Sequence, residues 1–344
     1  MKRLLFCCLL GSLSAQIFAQ EAEDPRLARW LKKFPAADAN QDGKLTMEEA
    51  RAFRDKQKPT RPDKKTRPAP THANLKYGDH ERNVIDLWLP EKPVATPTPV
   101  FIHFHGGGFV AGDKSGFDPT QWLDAGMAAA SGNYRFVDGE TTLSPTPMKD
   151  AARAVQFLKS KAGEFGLDPG KFALSGGSAG AVITCWIGYH DDLKNPDSED
   201  PVEKMSSRVA CLLPMNGPLN LDPDWIREHL GGPKSIHGSF SKMFAPKGEA
   251  YNSEPVLKRV KESSPWEFVT PDDPPTFLIY STKMTEVPLP EDISSGVLVH
   301  HPYFGKMMKT RLDEIGVENQ FIHGSDPRRN SAMLDYVKKQ FDLE

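Results

Sequence analysis

Apolar residues between positions 75 and 344 recur in two alternating patterns. Short apolar runs at 100–105, 128–133, 171–175, 210–213, 276–280 and 318–322 read as buried strands, the second built from unusually small residues. Between them lie stretches with helical spacing at 148–164, 179–190, 303–315 and 328–341; in the first, Ala151, Ala154, Val155 and Leu158 share one face. Strands alternating with helices of this length predict βαβ units, so the fold class is α/β, with a mainly parallel sheet flanked by helices over residues 75–344. The stretch 218–273 breaks the alternation and is read as a lid over the carboxyl end of the sheet.

Three further segments precede this domain. Residues 24–54 are helical in pattern, with Leu27, Trp30, Leu31 and Phe34 at i, i+3, i+4 and i+7. Residues 55–74 are polar and basic, and Pro59, Pro62, Pro68 and Pro70 interrupt them. That composition favours extended, solvated backbone and is read as a linker. At the N-terminus Lys2 and Arg3 precede the apolar run 4–10 and the small residues Gly11, Ser12, Ser14, Ala15 and Ala19. The order is that of a secretory signal peptide over residues 1–19, too short to span a bilayer, and it predicts export to a periplasm or beyond.

Charge and cysteine content narrow the function. Lys plus Arg number 43 and Asp plus Glu 46, a formal net charge of −3, which argues against a nucleic-acid partner. No second apolar stretch is a candidate for stable membrane insertion. Cys7 and Cys8 fall in the signal segment, whereas Cys185 and Cys211 sit in apolar runs and read as inert core thiols. No zinc spacing is present.

Residues 38–49 carry the first chemical motif. Asp38, Asn40 and Asp42 place side-chain oxygens at positions 1, 3 and 5 of a twelve-residue EF-hand loop, and Gly43 stands at the sharp turn. Lys44 offers its carbonyl at position 7, Thr46 a direct or water-bridged contact, and Glu49 the final bidentate carboxylate. Thr46 and Glu49 also form a capping box for the exiting helix. The expectation is one structural Ca2+, weakly held because no second loop pairs with it.

The second motif is hydrolytic. Gly176-Gly177-Ser178-Ala179-Gly180 lies between a predicted strand and a predicted helix, the context in which G-x-S-x-G projects a nucleophilic serine. His105-Gly106-Gly107-Gly108-Phe109 follows the strand at 100–105 and can turn backbone N–H groups toward a developing oxyanion, with the Ala179 N–H as a further donor.

Together, residues 105–109, Asn133-Tyr134-Arg135 and residues 176–180 resemble hormone-sensitive-lipase-like and feruloyl-esterase-like α/β-hydrolases. An EF-hand ahead of such a domain resembles exported proteins of planctomycete-type bacteria. The resemblance implies an α/β-hydrolase fold and hydrolysis of carboxylic esters without an organic cofactor. It assigns Ser178 as nucleophile and Gly107, Gly108 and Ala179 as oxyanion donors.

The remaining triad members depart from that pattern, which expects an acid after the next-to-last strand and a histidine after the last. Met284 stands where the acid is usual; Glu286 is the nearest carboxylate and Asp292 a weaker candidate. His323, at the end of the last strand, is the expected base, with His300 and His301 as rivals. Two readings follow. One is an exported serine esterase acting on small acyl or carbohydrate-linked esters. The other is a degenerate hydrolase fold that serves as a calcium-binding ligand-binding or scaffold protein. An imidazole within hydrogen-bonding reach of the Ser178 hydroxyl discriminates between them.

Overall fold

The structure, a computed structural model, describes residues 25–57, 67–233, 237–325 and 329–343. The chain divides into two units, one ending at Thr66 and one beginning at Arg67. The expected signal peptide lies outside the described residues.

In the first unit a helix over Pro25–Lys33, a turn at Pro35–Ala37 and a helix over Met47–Gln57 enclose a small core. Ala37, Leu45 and Ala50 are buried there against Leu27, Trp30, Leu31, Phe34 and Phe53, so the helical periodicity of the sequence becomes the packed face. The second helix begins on a reciprocal cap. The Glu49 N–H donates to Thr46 Oγ1 at 3.1 Å, and the Thr46 N–H donates to Glu49 Oε2 at 3.0 Å.

The second unit is built on β1 His72–Lys76, β2 Val84–Trp88, β3 Thr98–Phe104, β4 Ala128–Gly132, β5 Leu167–Gly177, β6 Cys211–Met215, β7 Thr276–Tyr280 and β8 Asn319–His323. They form one sheet in the order β1-β2-β4-β3-β5-β6-β7-β8. The β1–β2 and β2–β4 pairs are antiparallel and the other five are parallel. On one face Ile102, Phe104, Leu174 and Leu212 pack against Ala151 and Val155 of the Thr146–Ser160 helix and Val182 and Trp186 of the Ala179–Tyr189 helix. On the other, Phe101, Ala173, Leu213 and Phe277 meet Trp122 and the Arg329–Gln340 helix through Met333, Tyr336 and Val337. Burial on both faces explains the continuous apolar runs. The small residues of β4 follow from neighbours: a Cβ on Gly132 would stand 2.7 Å from the Phe104 ring.

Several boundaries differ from expectation. β1 starts inside the stretch 55–74 read as linker, and Arg67 already donates to the Ser115, Gly116 and Phe117 carbonyls at 3.1–3.2 Å. β1 escaped the sequence pattern because it is a polar edge strand. β2 escaped it because Asp86 interrupts its apolar run. Asp86 is buried nonetheless, held by Lys114 Nζ at 2.6 Å and the Asn74 N–H at 2.7 Å. The helix expected at 148–164 breaks at Lys161 into Thr146–Ser160 and Ala162–Phe165, and Gly166 ends the second piece at φ +67°.

Parallel pairing brings the carboxyl ends of β3, β5, β6 and β7 together, with Phe104 opposite Gly176, Gly177 opposite Met215 and Met215 opposite Ile279. The segment 218–273 contributes helices over Pro223–Leu230, Ser239–Phe244 and Glu254–Ser263 and, among its described residues, no strand, which is why it broke the alternation.

Candidate active site

Ser178 stands between β5 and the Ala179–Tyr189 helix at φ +56°, ψ −114°, a strained conformation for a residue with a side chain. The surroundings enforce it. The Ser178 N–H donates to the Met215 carbonyl at 2.8 Å. A Cβ on Gly176 would stand 2.4 Å from Gly180 backbone, and one on Gly180 would stand 2.1 Å from the Phe104 carbonyl oxygen. Only glycine permits these approaches, so the two outer glycines of the motif are packing requirements of the elbow.

The loop after β3 comes equally close. A Cβ on Gly106 would lie 2.7 Å from the Gly177 oxygen, while Gly107 and Gly108 adopt φ +112° and +60°. Among the described residues, the N–H groups of Gly107, Gly108 and Ala179 donate to no acceptor. They are three unpaired backbone donors beside the serine, the arrangement an oxyanion requires.

Polar contacts hold this loop in place. The Tyr134 hydroxyl donates to the His105 carbonyl at 2.7 Å, and the two rings stack at 4.4 Å. Arg82 lies 3.6 Å over the Phe136 ring and donates to the Tyr134 carbonyl at 2.8 Å and the Gly112 carbonyl at 3.2 Å. Its guanidinium also sits 3.3 Å from His105 Nε2, whose Nδ1–H points at the Gly106 carbonyl at 2.7 Å. Arg135 forms a two-pronged pair with Asp150 at 2.8 and 2.6 Å, and Asn133 bridges Asp113 and the Lys114 N–H. Asn133-Tyr134-Arg135 thus braces the glycine loop from below.

His300 Nε2 lies 2.8 Å from Ser178 Oγ. His300 follows the short helix Ser295–Val299, between β7 and β8. In the neutral ring protonated on Nδ1, the Nε2 lone pair faces the Ser178 hydroxyl. Burial lowers the His300 pKa; the nearby Gly296 backbone opposes this and the nearby His237 adds to it.

The expected base, His323, is not at the serine: it is exposed at the end of β8, and its Nδ1 accepts the Met284 N–H at 3.3 Å. The last strand ends too early for this side chain to extend over the sheet. His301 is buried and turned away, with Nε2 2.8 Å from Thr285 Oγ1 and Nδ1 accepting the Tyr303 N–H at 3.2 Å. Glu286 and Asp292 are exposed and reach no histidine. No carboxylate hydrogen-bonds His300 among the described residues. His237 and Arg82 were invisible to motif reasoning, because neither sits in a recurrent spacing.

The serine opens into a pocket of about 390 Å³ whose wall is largely apolar, with Val182, Leu221, Phe240, Met243 and Val299. Leu221, Phe240 and Met243 come from the segment read as a lid. His237, also from that segment, keeps its Nδ1 as acceptor for the Ser239 hydroxyl at 2.7 Å and the Ser239 N–H at 3.2 Å.

In the first unit, the loop 38–49 closes on itself. The Gly43 N–H donates to Asp38 Oδ2 at 2.9 Å, the Asp42 N–H to Asn40 Oδ1 at 3.0 Å and the Lys44 N–H to Asp42 Oδ1 at 2.8 Å. The Asn40 N–H reaches Glu49 Oε1 at 3.4 Å and so links the two ends of the loop. Asp38 Oδ1 is buried without a hydrogen-bond partner. An orphaned carboxylate oxygen among other oxygens fits a hard cation. Among the described residues, no three His, Cys, Asp or Glu side chains converge as a ready-made metal cluster, so Asn40, Thr46 and the Lys44 carbonyl would have to share the ligation. Cys185 and Cys211 are buried free thiols whose pKa values burial raises.

Comparison with known proteins agrees with this architecture. The chain is 24% identical over 222 residues to LipM of Mycobacterium tuberculosis, named a probable carboxylic ester hydrolase, covering 63% of this chain and 49% of that protein. It is 33% identical over 151 residues to the isoprenylcysteine alpha-carbonyl methylesterase ICME of Arabidopsis thaliana, covering 43% and 34%. The chain thus spans half or less of the length of these relatives. A truncated carbohydrate esterase from gut microbiota superposes with a TM-score of 0.60 at 20% identity, covering 78% of this chain and 95% of that one. An acetyl ester-xyloside bifunctional hydrolase from Caldicellulosiruptor lactoaceticus gives 0.57 at 21%, covering 79% and 93%. The likeness establishes the α/β-hydrolase fold. The model of the BD-FAE family matches residues 85–294, more than half of the chain and the stretch that carries the glycine loop and the serine elbow, and the chain belongs to that family.

Proposed function

We propose that the protein is a serine esterase that hydrolyses small acyl or carbohydrate-linked carboxylic esters, with Ser178 as nucleophile and His300 as its base. The observation that carries this reading is the 2.8 Å hydrogen bond between the two side chains, which supplies what a serine hydroxyl needs to act near neutral pH. As Oγ attacks the ester carbonyl, its proton passes to His300 Nε2. The resulting oxyanion accepts hydrogen bonds from the N–H groups of Gly107, Gly108 and Ala179. The imidazolium then returns its proton to the departing alkoxide as the C–O bond breaks. Water repeats the sequence on the acyl-serine and releases the acid. Among the described residues no carboxylate pairs with His300, so the imidazolium lacks the full opposite charge that a triad acid would bring. A modest kcat for this fold follows.

That no carboxylate pairs with His300 among the described residues is the one observation that favours a ligand-binding or scaffold role. The formed Ser178–His300 pair weighs against it. The loop 38–49 is assigned to one Ca2+, held by Asp38, Asn40, Asp42, the Lys44 carbonyl, Thr46 and Glu49, with a structural role. The pattern of residues 1–19 supports export. The test of the esterase reading is labelling by a fluorophosphonate, which reacts only with an activated serine. Stoichiometric modification of Ser178, lost in Ser178→Ala and His300→Ala, is the expected result. An unlabelled wild-type protein would favour the scaffold.

A further inference from the structure

Beside the three unpaired backbone donors stands a fourth, on a side chain. His237 lines the serine pocket together with Gly107, Gly108, Ser178 and His300. It comes from the segment 218–273, just ahead of the Ser239–Phe244 helix, and it rests on the glycine loop. A Cβ on Gly108 would lie 3.3 Å from His237 Cε1 and 3.3 Å from Ser239 Oγ.

Ser239 fixes which nitrogen of His237 carries the proton. The Ser239 N–H donates to Nδ1 at 3.2 Å, and the Ser239 hydroxyl lies 2.7 Å from the same atom. A ring nitrogen that accepts a backbone N–H has no proton of its own, so in the neutral ring the proton is on Nε2. Burial lowers the His237 pKa and keeps the ring neutral. With Nδ1 turned back on its own helix, the Nε2–H is left without an acceptor among the described residues. The ring is half-buried and close enough to His300 to depress the pKa of that base. An imidazole oriented this firmly, and donating to nothing in the protein, is placed for an acceptor that arrives with the substrate.

The lone pairs of the tetrahedral intermediate say which oxygen that is. The oxyanion has three, and the N–H groups of Gly107, Gly108 and Ala179 suffice for them. The leaving oxygen has two: one takes the proton returned by His300, and the other has no donor. Charge gathers on this oxygen as the C–O bond breaks, and a charged acceptor makes the stronger hydrogen bond. We propose that His237 is a catalytic residue whose Nε2–H donates a hydrogen bond to the leaving oxygen of the ester as the acyl–oxygen bond breaks. The imidazole keeps its proton throughout, and His300 alone transfers one. The proposal rests on the esterase reading and adds a second imidazole that attends the departing group.

The experiment measures kcat/KM, which reports acylation, for p-nitrophenyl, p-chlorophenyl, phenyl and p-methoxyphenyl acetates in wild type, His237→Ala and His237→Gln. The acyl group is constant, and the leaving phenoxide grows more basic along the series. A more basic oxygen gains more from a donor, so loss of the donor steepens the dependence. The expected result in His237→Ala is a fall of about fivefold or more in the ratio of kcat/KM for the p-methoxyphenyl ester to that for the p-nitrophenyl ester. Glutamine places an amide N–H near the position of Nε2, so His237→Gln should restore most of that ratio. An unchanged ratio in His237→Ala, including equal losses on every ester from a displaced segment, overturns the proposal and leaves the esterase reading intact. A ratio as low in His237→Gln as in His237→Ala shows that the imidazole acts other than as a donor and overturns it as well. Absence of Ser178-dependent turnover of every ester by wild type overturns the esterase reading and this proposal with it.

Discussion

His300 and Ser178 are 122 positions apart in the chain, and their side chains meet at 2.8 Å. The two arrive from different directions. Ser178 is thrust up by a strained turn at the end of a central strand, whereas His300 is delivered by a five-residue helix inserted between β7 and β8.

Burial and the proximity of His237 both lower the His300 pKa, and catalysis requires the neutral ring. A lowered pKa keeps that form populated further into acid. The acid limb of the kcat/KM profile should therefore fall below the ordinary histidine value of about 6.5. In His237→Asn the repulsion between the two rings is gone, so the limb should move upward. A limb at or above the ordinary value in wild type, or a downward move in the variant, contradicts the assignment.

The serine elbow was legible because its constraints are local. Glycines at 176 and 180 are needed by atoms two to three ångströms away, and strand, turn and helix are contiguous in the chain. The base was not legible, because chain order alone points to the end of the last strand. His323 does meet Met284, the position where an acid is usual, at 3.3 Å. The expected acid Glu286 is exposed and away from both histidines, and the contact at His323 offers a backbone N–H in place of a carboxylate. The polar edge strand β1 and the charged position Asp86 in β2 hid two strands for a similar reason, since what makes them strands is pairing with distant residues.

Gly180→Ala places a methyl group 2.1 Å from the Phe104 carbonyl oxygen and 2.9 Å from that of His105, backbone atoms with no flexible side chain to yield. Overpacking of this kind costs typically about 1–3 kcal/mol, and more where backbone must move. The variant should melt several degrees below wild type by circular dichroism and lose esterase turnover. A variant with wild-type melting would show that β3 and the elbow are not packed this closely.

Lys114 and Asp86 form a buried ion pair at 2.6 Å, with side chains 10% and 8% exposed. Lys114→Met leaves the carboxylate with only the Asn74 N–H and should destabilise by about 3–5 kcal/mol. Replacing both residues with apolar ones of similar size should recover much of the loss. Chemical denaturation of the two variants measures both effects. A double variant no more stable than the single one would show that the pair does more than satisfy itself.

Calcium titrated into the full chain should bind with one-to-one stoichiometry and a dissociation constant of about 10⁻⁴–10⁻³ M, the range of extracellular modules. Glu49→Gln removes the carboxylate charge at the loop's last position and should abolish the calorimetric signal. Identical heats in wild type and variant would place any bound calcium elsewhere.

Initial rates of p-nitrophenyl acetate hydrolysis by wild type, Ser178→Ala, His300→Ala and His323→Ala test the assignment of the base most directly. Loss of a general base removes about 10²–10⁴-fold of rate. Turnover should therefore collapse in the Ser178 and His300 variants and stay within about twofold of wild type in His323→Ala. Activity retained in His300→Ala and lost in His323→Ala would contradict the account and return the base to the end of the last strand.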